Sequence, residues 1–380
     1  MDSFLAQEEL DFRDGLRRWV DARLAPRARD LDDKREFARD LFQELGSLGY
    51  LGIMYPEAYG GIGIANPYIH YTLLCEELAR GSMGFAATVC MHASTATHTI
   101  FKWGSDTLRQ RYLVPAIRGE KVGAFAITEA HAGSDAAAIR TRATKVEGGW
   151  RLEGSKIFTS NGVIADFLTV AAKTEASASA KSINLFVVDK ATPGLTVSRR
   201  LEKFTTHCSD TAEIGIEAVF VPDENHLQGG GGGMKAYESL TVDRIFTAAL
   251  ALGAGQAAYD LSVAYAKERQ QFSQPIASFQ AVQFKLVDML ATLEQSRLFT
   301  YHAARLADRG APITKEAALA KIIAADGCNA LCQKALNIFG GYGLMTEYPI
   351  ERHFRDSYFP MIGGGTSDIM RLIVARQIGL

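Results

Sequence analysis

A run of glycines leads into a hydroxyl- and acid-bearing segment near the end of the chain. Residues 359–372 read FPMIGGGTSDIMRL, so three glycines precede Thr366 and Asp368 and then a tail patterned like a helix. Two interpretations are open from these residues alone. The segment either holds a phosphate at a helix start, where unpaired N–H groups and the helix dipole favour an anion, or it lacks a working side chain where one is needed.

Two further stretches carry side chains that could contact a planar ligand. AITEAHAGSD (126–135) joins a predicted strand end to a turn, with hydroxyls on Thr128 and Ser134 and no side chain at Gly133. KIFTSNG (156–162) places an aromatic ring and two hydroxyls at the edge of another predicted strand. Each stretch alone is also compatible with an ordinary strand end.

Two stretches later in the chain are turns next to predicted helices. KERQQF (267–272) ends a helix with the cationic Arg269, and NIFGGYGLMTEYPIERHFRD (337–356) is a glycine turn between helices. GAGQAA (253–258) fits a dinucleotide-binding pattern formally, but the residues before it are alanine-rich and no acidic residue follows at the required distance. Its glycines are better explained by close helix packing.

The composition is that of an ordinary globular protein. The 380 residues are 47% hydrophobic and 22% charged, with a formal net charge of −2, which argues against binding to nucleic acid or to a membrane surface. The most apolar stretch, 245–261, is too short and too interrupted to span a bilayer. Five cysteines without a CxxC pair, and a start without an export signal, predict reduced thiols, a cytoplasmic location and no metal site.

Hydrophobic periodicity divides the chain into three parts. Residues 1–120 carry apolar residues at three- and four-residue steps and are predicted to be helical. Residues 121–226 predict a sheet of six or seven strands with a hairpin loop at 174–181. Residues 227–380 begin with a glycine-rich linker (229–233) and predict long helices that pair as a bundle. The fold class is therefore α+β, with an N-terminal helical domain, a central β-sheet domain and a C-terminal four-helix bundle.

In this order and at these separations, the stretches make the chain resemble the acyl-CoA dehydrogenase family, flavoproteins that oxidise acyl thioesters. The resemblance covers essentially the whole chain, and AITEAHAGSD and the GGYG…E…R…RD pattern are its most specific parts. It implies an oxidoreductase acting on a CH–CH group with FAD as cofactor. It also implies an electron-transferring flavoprotein or similar acceptor and a homotetramer or dimer.

The resemblance implies particular residues for the cofactor site. Contacts to the flavin from the sheet domain would come from Phe125, Ile127, Thr128, Gly133, Ser134, Phe158 and Ser160. Contacts to the pyrophosphate and adenosine, from a neighbouring subunit, would come from Arg269, Gln271, Phe272, Asn337, Gly340 and Gly341, with Thr366 and Asp368 at the ADP half. Asn337 replaces a common Gln and Asp368 replaces a common Gln or Glu, so both have a shorter reach.

The same resemblance implies where the catalytic base lies relative to the glycine run. Many members carry the catalytic glutamate where this chain has Gly364, and glycine cannot act as a base. Members of the isovaleryl- and long-chain type instead carry a base on a bundle helix, beside the arginine that matches Arg244. The neighbour here is Asp243, which is thus implied to be the base, unless it pairs with a surface cation or begins its helix.

The remaining implied contacts concern the substrate. The backbone N–H of Gly364, together with a flavin hydroxyl, would hold the thioester oxygen. Arg244 and Ser134 would contact the carrier portion of the substrate, and Met91 would lie toward the far end of the acyl pocket.

Two other functions stay open from the sequence. One is a flavin enzyme of the same fold that acts on an acyl group bound to a carrier protein or desaturates at another position. The unusual Asp243 and the divergent TTHCSD stretch (205–210) leave room for it. The other is a non-catalytic protein that binds an acyl thioester or a flavin.

Overall fold

The computed structural model describes residues 4–175, 180–227 and 234–380. Helices come first, a sheet follows, and long helices complete the chain, in the predicted order. The first part contains α1 (Gln7–Trp19), α2 (Ala28–Lys34), α3 (Arg39–Ser47), α4 (Pro67–Gly81), α5 (Met83–Met91), α6 (His98–Trp103), α7 (Asp106–Leu108) and α8 (Val114–Ile117). The last part contains α9 (Met234–Glu268), α10 (Gln280–Asp308), α11 (Thr314–Phe339), α12 (Ile350–Asp356), α13 (Phe359–Ile362) and α14 (Ser367–Gln377). The glycine-rich linker predicted at 229–233 lies outside the described residues.

The last part forms the predicted bundle of α9, α10, α11 and α14. Helix α11 packs against the other three, and α9 also packs against α4 of the first part. A Cβ on Gly253 would lie 2.1 Å from the carbonyl oxygen of Glu76, and a Cβ on Gly255 would lie 2.9 Å from Cys328 Sγ. The GAGQAA glycines therefore permit close packing of α9 against α4 and α11, as predicted.

The middle part is a seven-stranded sheet in the order β1-β4-β2-β3-β7-β6, with β5 paired to β4. Its strands are β1 (Gly123–Ala126), β2 (Arg142–Val146), β3 (Gly149–Ser160), β4 (Phe167–Lys173), β5 (Ile183–Asp189), β6 (Leu195–Arg200) and β7 (Thr211–Pro222). Strand β1 runs parallel to β4, and β3 pairs antiparallel with β7 over most of its length. A short hairpin of β8 (Gln270–Gln271) and β9 (Gln274–Pro275) follows α9.

The hairpin predicted around 174–181 is present, because Lys173 of β4 lies opposite Ile183 of β5 in an antiparallel pair. Residues 176–179 of that loop lie outside the described part of the chain. Strand β2 was not predicted. Its residues are mostly polar and exposed, and only Ala143 is buried, so the segment lacks the apolar alternation that indicates a strand.

Two hydrophobic cores hold these parts together. One core is shared by the first and last helical parts and includes Phe42, Phe85 and Phe246. The other lies within the sheet and includes Leu168 and Ile214. The cysteines are buried free thiols. Within the described ranges, no helix combines the length and apolarity needed to cross a membrane.

Candidate active site

Asp243 of α9 and Gly364, in the loop between α13 and α14, approach the same point in space. Asp243 is fully buried at 0% exposure. Gly364 has a φ of +67°, and a Cβ built on it would lie 2.8 Å from Asp243 Oδ2 and 3.6 Å from Thr247 Oγ1. A side chain at position 364 would therefore start where the carboxylate of Asp243 now lies. Asp243 lies well inside α9 and away from the surface, so it neither begins its helix nor meets a surface cation.

The polar groups around this carboxylate are only partly satisfied. Ser94 Oγ lies 2.6 Å from Asp243 Oδ1 and donates a hydrogen bond to it. Among the described residues, no hydrogen-bond partner reaches Asp243 Oδ2, Thr247 Oγ1 or Arg244 Nε, although all three atoms are buried. Since a buried polar atom without a partner costs free energy, three of them in one place indicate a site for a polar ligand.

The environment prepares Asp243 for proton transfer. Burial raises the pKa of Asp243, while the hydrogen bond from Ser94 and the positive charges of Lys321 and Arg244 act in the opposite direction. A carboxylate with a raised pKa is a stronger base once it is ionised. The geometry thus supplies a buried carboxylate with one oxygen hydrogen-bonded and the other without a partner among the described residues.

Ser94→Ala is expected to move the acidic limb of the pH–rate profile to higher pH. The serine hydroxyl stabilises the ionised carboxylate, so its loss raises the pKa of Asp243 further and delays ionisation as the pH rises. The measurement is the pH dependence of kcat. Ser262→Ala is the matched control, because Ser262 is also buried and donates to the carbonyl of Ala258 on the same helix, α9. Equal shifts in both variants would contradict the assignment of Ser94.

One helical segment connects this carboxylate to the sheet. Helix α5 continues into a π-helical turn, His92–Thr97, which carries the serine that meets the base. His92 Nδ1 accepts a hydrogen bond from the N–H of Gly123 in β1 at 2.9 Å, and the carbonyl of Thr88 accepts one from Asn161 Nδ2 at 3.0 Å. π-Helical turns occur frequently at functional sites. The predicted acyl contact, Met91, is half-buried where α5 meets this turn.

The residues predicted to contact a flavin lie at the ends of β1 and β3. Phe125 and Ile127 are half-buried, and the carbonyl of Thr128 accepts a hydrogen bond from the N–H of Ile157 at 2.9 Å. Phe158 is 64% exposed and has a φ of +54°. An exposed phenylalanine in this backbone region is strained, and such strain is found mainly at ligand and active sites.

The loop after β1 is open to a ligand. Gly133 and Ser134 are exposed, and a Cβ on Gly133 would meet no atom within 4 Å. Ser160 ends β3 and is half-buried. The structure therefore brings the two predicted stretches to neighbouring strand ends with accessible hydroxyls.

A buried ion pair, which the sequence did not reveal, connects these stretches. Lys156 Nζ lies 2.8 Å from Glu129 Oε1 and 3.1 Å from the carbonyl oxygen of Ile127. Glu129 also accepts hydrogen bonds from the N–H groups of Arg140 and Thr141. Both charged side chains are buried, so the pair fixes the loop that follows β1 against β3.

Lys156→Met is expected to lower the free energy of unfolding by about 3–5 kcal/mol, because it leaves the buried carboxylate of Glu129 without its cation. Urea unfolding measures this change, and the amount of FAD retained after dialysis measures its effect on the site. Lys334→Met is the control. It breaks an exposed pair with Asp288 (2.8 Å) and is expected to cost about 1 kcal/mol or less. Similar losses in both variants would contradict a special role for the buried pair.

A second set of predicted residues surrounds a cavity at one end of the bundle. The cavity has a volume of about 480 Å³ and is lined by Tyr265, Arg269, Gln271, Ile276, Ile338, Phe339, Gly340, Gly341, Tyr342 and Met345. The guanidinium of Arg269 lies 5.4 Å from the ring centroid of Tyr342. Two predicted residues do not line this cavity. Asn337 is exposed on the last turn of α11, and Phe272 is 88% exposed with a φ of +52°.

Thr366 and Asp368 lie at the start of α14. Thr366 is the N-cap of this helix, and its Oγ1 accepts a hydrogen bond from the N–H of Ile369 at 3.2 Å. The side chain of Asp368 is 94% exposed and lies 3.4 Å from Arg371. Neither residue lines the bundle-end cavity, so within one chain the predicted cofactor residues form separate groups.

Comparison with known proteins identifies three matching domains along the chain. The N-terminal, middle and C-terminal domains of acyl-CoA dehydrogenase match residues 6–120, 124–219 and 230–379. Benzylmalonyl-CoA dehydrogenase from Aromatoleum aromaticum is 40% identical over 380 residues, which cover 100% of both chains. The chain belongs to the acyl-CoA dehydrogenase family.

Other members of the acyl-CoA dehydrogenase family are similarly close. A short-chain specific acyl-CoA dehydrogenase from Megasphaera elsdenii is 38% identical over 381 residues and is covered completely. The solved structure of butyryl-CoA dehydrogenase from Megasphaera elsdenii superposes with a TM-score of 0.95 at 37% identity, covering 98% of each chain. Membership confirms the predicted three-part fold and the enzyme class.

FAD is the cofactor of the acyl-CoA dehydrogenase family, and the structure fits it. Phe158 and Phe272 are exposed aromatic side chains with positive φ. Arg269 offers a cation beside the glycines Gly340 and Gly341, where an added Cβ would meet no atom within 4 Å. An aromatic platform and a cation next to bare backbone are what a flavin ring and a pyrophosphate require.

Proposed function

We propose that the chain catalyses the FAD-dependent dehydrogenation of an acyl-CoA to the 2,3-enoyl-CoA, with Asp243 as the base. The supporting observation is the 2.8 Å between Asp243 Oδ2 and the Cβ that a residue at position 364 would have. In the family, a base stands either at that position or on the bundle helix beside an arginine. Here both positions point at one spot, and only Asp243 offers a carboxylate there.

Asp243, Ser94, Gly364 and Arg244 each have a role in this reaction. Asp243 Oδ2, which has no hydrogen-bond partner among the described residues, takes the proton from the carbon next to the thioester carbonyl, while Ser94 holds Oδ1. Bound FAD supplies the acceptor for the hydride that leaves the neighbouring carbon. The N–H of Gly364 donates to the thioester oxygen and stabilises the negative charge that develops there. Arg244, whose Nε also finds no partner in the described part of the chain, contacts the carrier portion of the substrate.

The choice of aspartate constrains where the substrate lies. Aspartate is one methylene shorter than glutamate, which shortens the reach by roughly 1.5 Å. A misplacement of about 1 Å can cost on the order of a hundredfold in rate. The acyl chain therefore lies closer to α9 than a glutamate at position 243 would require.

The full cofactor site, in this proposal, uses two subunits. The flavin lies against the ends of β1 and β3, and the bundle-end cavity of a neighbouring subunit receives the pyrophosphate and adenosine. This explains why the two groups of residues are separate within one chain. It requires a homodimer or homotetramer, and electrons then pass to an electron-transferring flavoprotein or a similar acceptor. The domain boundaries after residues 120 and 226 stay predictions alongside this arrangement.

Anaerobic bleaching of the bound flavin tests the proposed function. The purified protein, with its FAD content confirmed, is mixed with straight-chain, branched and cyclic acyl-CoAs. The panel includes butyryl-CoA and benzylmalonyl-CoA, because two relatives are named for these compounds. Bleaching by one class establishes dehydrogenation and identifies the acyl group. If no acyl-CoA bleaches the flavin but a thioester bound to a carrier protein does, the CoA assignment is wrong. If neither bleaches it, the chain either catalyses a different flavin reaction or binds the flavin or thioester without turnover.

A further inference from the structure

A buried lysine outside the residues assigned so far holds the glycine loop. Lys321 of α11 is 1% exposed. Its Nζ donates a hydrogen bond to the carbonyl oxygen of Gly363 at 2.5 Å and another to the carbonyl oxygen of Gly365. Lysine is almost never fully buried unless it is paired. One ammonium group therefore binds the carbonyls on both sides of Gly364.

The two hydrogen bonds from Lys321 fix the direction of the N–H groups of Gly364 and Thr366. The peptide bonds of the described residues are trans, and in a planar trans peptide the C=O and the N–H point in opposite directions. Because the carbonyl of Gly363 points at Lys321, the N–H of Gly364 points away from it. The carbonyl of Gly365 likewise turns the N–H of Thr366 away from the lysine.

The glycine loop at 363–365 needs contacts from another element to keep one conformation. Gly364 has a φ of +67° and Gly365 a φ of +100°, which glycine adopts readily but which its backbone does not enforce. A flexible glycine pair samples many conformations. An N–H group that donates to a thioester oxygen must instead keep one direction. The hydrogen bonds from Lys321 select one of these conformations.

Lys321 also lies near the proposed base. A Cβ on Gly364 would be 2.8 Å from Asp243 Oδ2 and 3.9 Å from Lys321 Nζ, so both charged groups lie close to this glycine. The positive charge of Lys321 lowers the pKa of Asp243 and thereby opposes the effect of burial. The charges that act on Lys321 itself are those of Asp243 and Arg244 on α9 and Asp326 on its own helix, and burial lowers its pKa to about 7.

We propose that Lys321 is a positioning residue of the acyl-thioester site. It holds the carbonyls of Gly363 and Gly365 so that the N–H of Gly364 faces the thioester oxygen, and it places a positive charge next to Asp243. The proposal rests on the proposed function, because it assigns the Gly364 N–H to the thioester. It assigns a task to a charged side chain that the sequence presents as an ordinary helix lysine.

Lys321→Met tests the proposal, because methionine keeps the apolar stem and removes both the donors and the charge. With the acyl-CoA that bleaches the wild-type flavin, kcat is expected to fall by about tenfold to a hundredfold, since the oxygen donor is no longer aimed. The exchange of the substrate's α-hydrogen with solvent deuterium should slow in parallel. The acidic limb of the kcat profile should move to higher pH, because Asp243 loses a nearby positive charge. FAD content and KM should change much less.

Further variants separate positioning from folding. Lys321→Arg keeps the charge and can bind both carbonyls, so it should retain more activity than methionine. If Lys321→Met does not fold, Lys321→Gln, which keeps a donor but no charge, should still show the shifted acidic limb. Lys203→Met is the control, because Lys203 donates to the carbonyl of Ser209 and to Thr211 Oγ1, away from this site. Its pH profile should match the wild type.

Two outcomes overturn the assignment of Lys321. One is an unchanged kcat and pH profile in fully FAD-loaded Lys321→Met protein. The other is a loss of activity that only follows the loss of FAD or of folded protein, with α-hydrogen exchange unchanged per loaded site. If the proposed function is wrong, the result is different, because no acyl-CoA would then bleach the flavin of the wild-type protein.

Discussion

Asp243→Asn is expected to slow flavin reduction by acyl-CoA by about a thousandfold, within the range that a general base contributes. Asparagine has nearly the same shape and can still accept the hydrogen bond from Ser94, but it cannot take a proton. FAD content and the affinity for acyl-CoA should stay close to those of the wild type. The measurement is the single-turnover rate of anaerobic bleaching, compared with FAD content and with acyl-CoA binding.

The same substitution is expected to stabilise the folded protein at neutral pH. Because burial raises the pKa of Asp243 in the folded state, the folded protein binds this proton more tightly than the unfolded chain. The carboxyl therefore destabilises the fold as the pH rises from the ordinary aspartate pKa through the raised one, and it continues to do so above it. Asparagine removes this effect, so the free energy of unfolding at pH 7 should increase.

Asp308→Asn provides the comparison for both measurements. Burial raises the pKa of Asp308 as well, and its side chain accepts hydrogen bonds from the N–H groups of Tyr68 and Ile69 at 2.8 Å and 3.1 Å, where α10 ends. This variant should reduce its flavin at the wild-type rate. An Asp243→Asn protein that bleaches as fast as the wild type would show that the base is another residue.

Gly364→Ala is expected to slow flavin reduction by about a hundredfold through displacement of the base. The new Cβ would lie 2.8 Å from Asp243 Oδ2, closer than carbon and oxygen can approach without movement. The carboxylate and the loop must therefore shift, and the methyl group also enters the space of the substrate. Alanine at a φ of +67° adds a backbone cost of about 1–2 kcal/mol.

Gly148→Ala separates the backbone cost from the contact with the base. Gly148 has a φ of +71°, close to that of Gly364, but a Cβ there would meet no atom within 4 Å. Both variants should lose similar backbone stability in urea unfolding, while only Gly364→Ala should lose turnover. Equal turnover in the two alanine variants would contradict the view that positions 243 and 364 converge.

The architecture followed from sequence because its signals are local. Helical periodicity at both ends, strands in the middle and the glycines of 253–258 each leave a pattern within a few residues. Strand β2 was not recognised in the sequence, because its residues are mostly polar and it joins the sheet by pairing with β3. The same limit applies to the candidate site, where residue types were recognised by resemblance and their partners were not.

The missing partners are all contacts between distant parts of the chain. Ser94 looks like one of several hydroxyls that bond back to their own helix, yet it also bonds to Asp243. Lys321 lies in an alanine-rich helical stretch and has no neighbour in sequence that marks it as buried. Its acceptors, Gly363 and Gly365, come more than forty residues later. Only the packing of α9, α11 and the glycine loop brings these groups together.

The helical segment that runs from α5 into the turn at 92–97 has a consequence for how substrate preference can change. It carries the predicted acyl contact Met91, and it also bonds to β1 through His92 and to the base through Ser94. A substitution in this segment that reshapes the proposed acyl pocket is therefore expected to disturb Asp243, the proposed proton acceptor, and strand β1 as well. Evolution or engineering of a new acyl preference through this segment is therefore expected to change rate and specificity together.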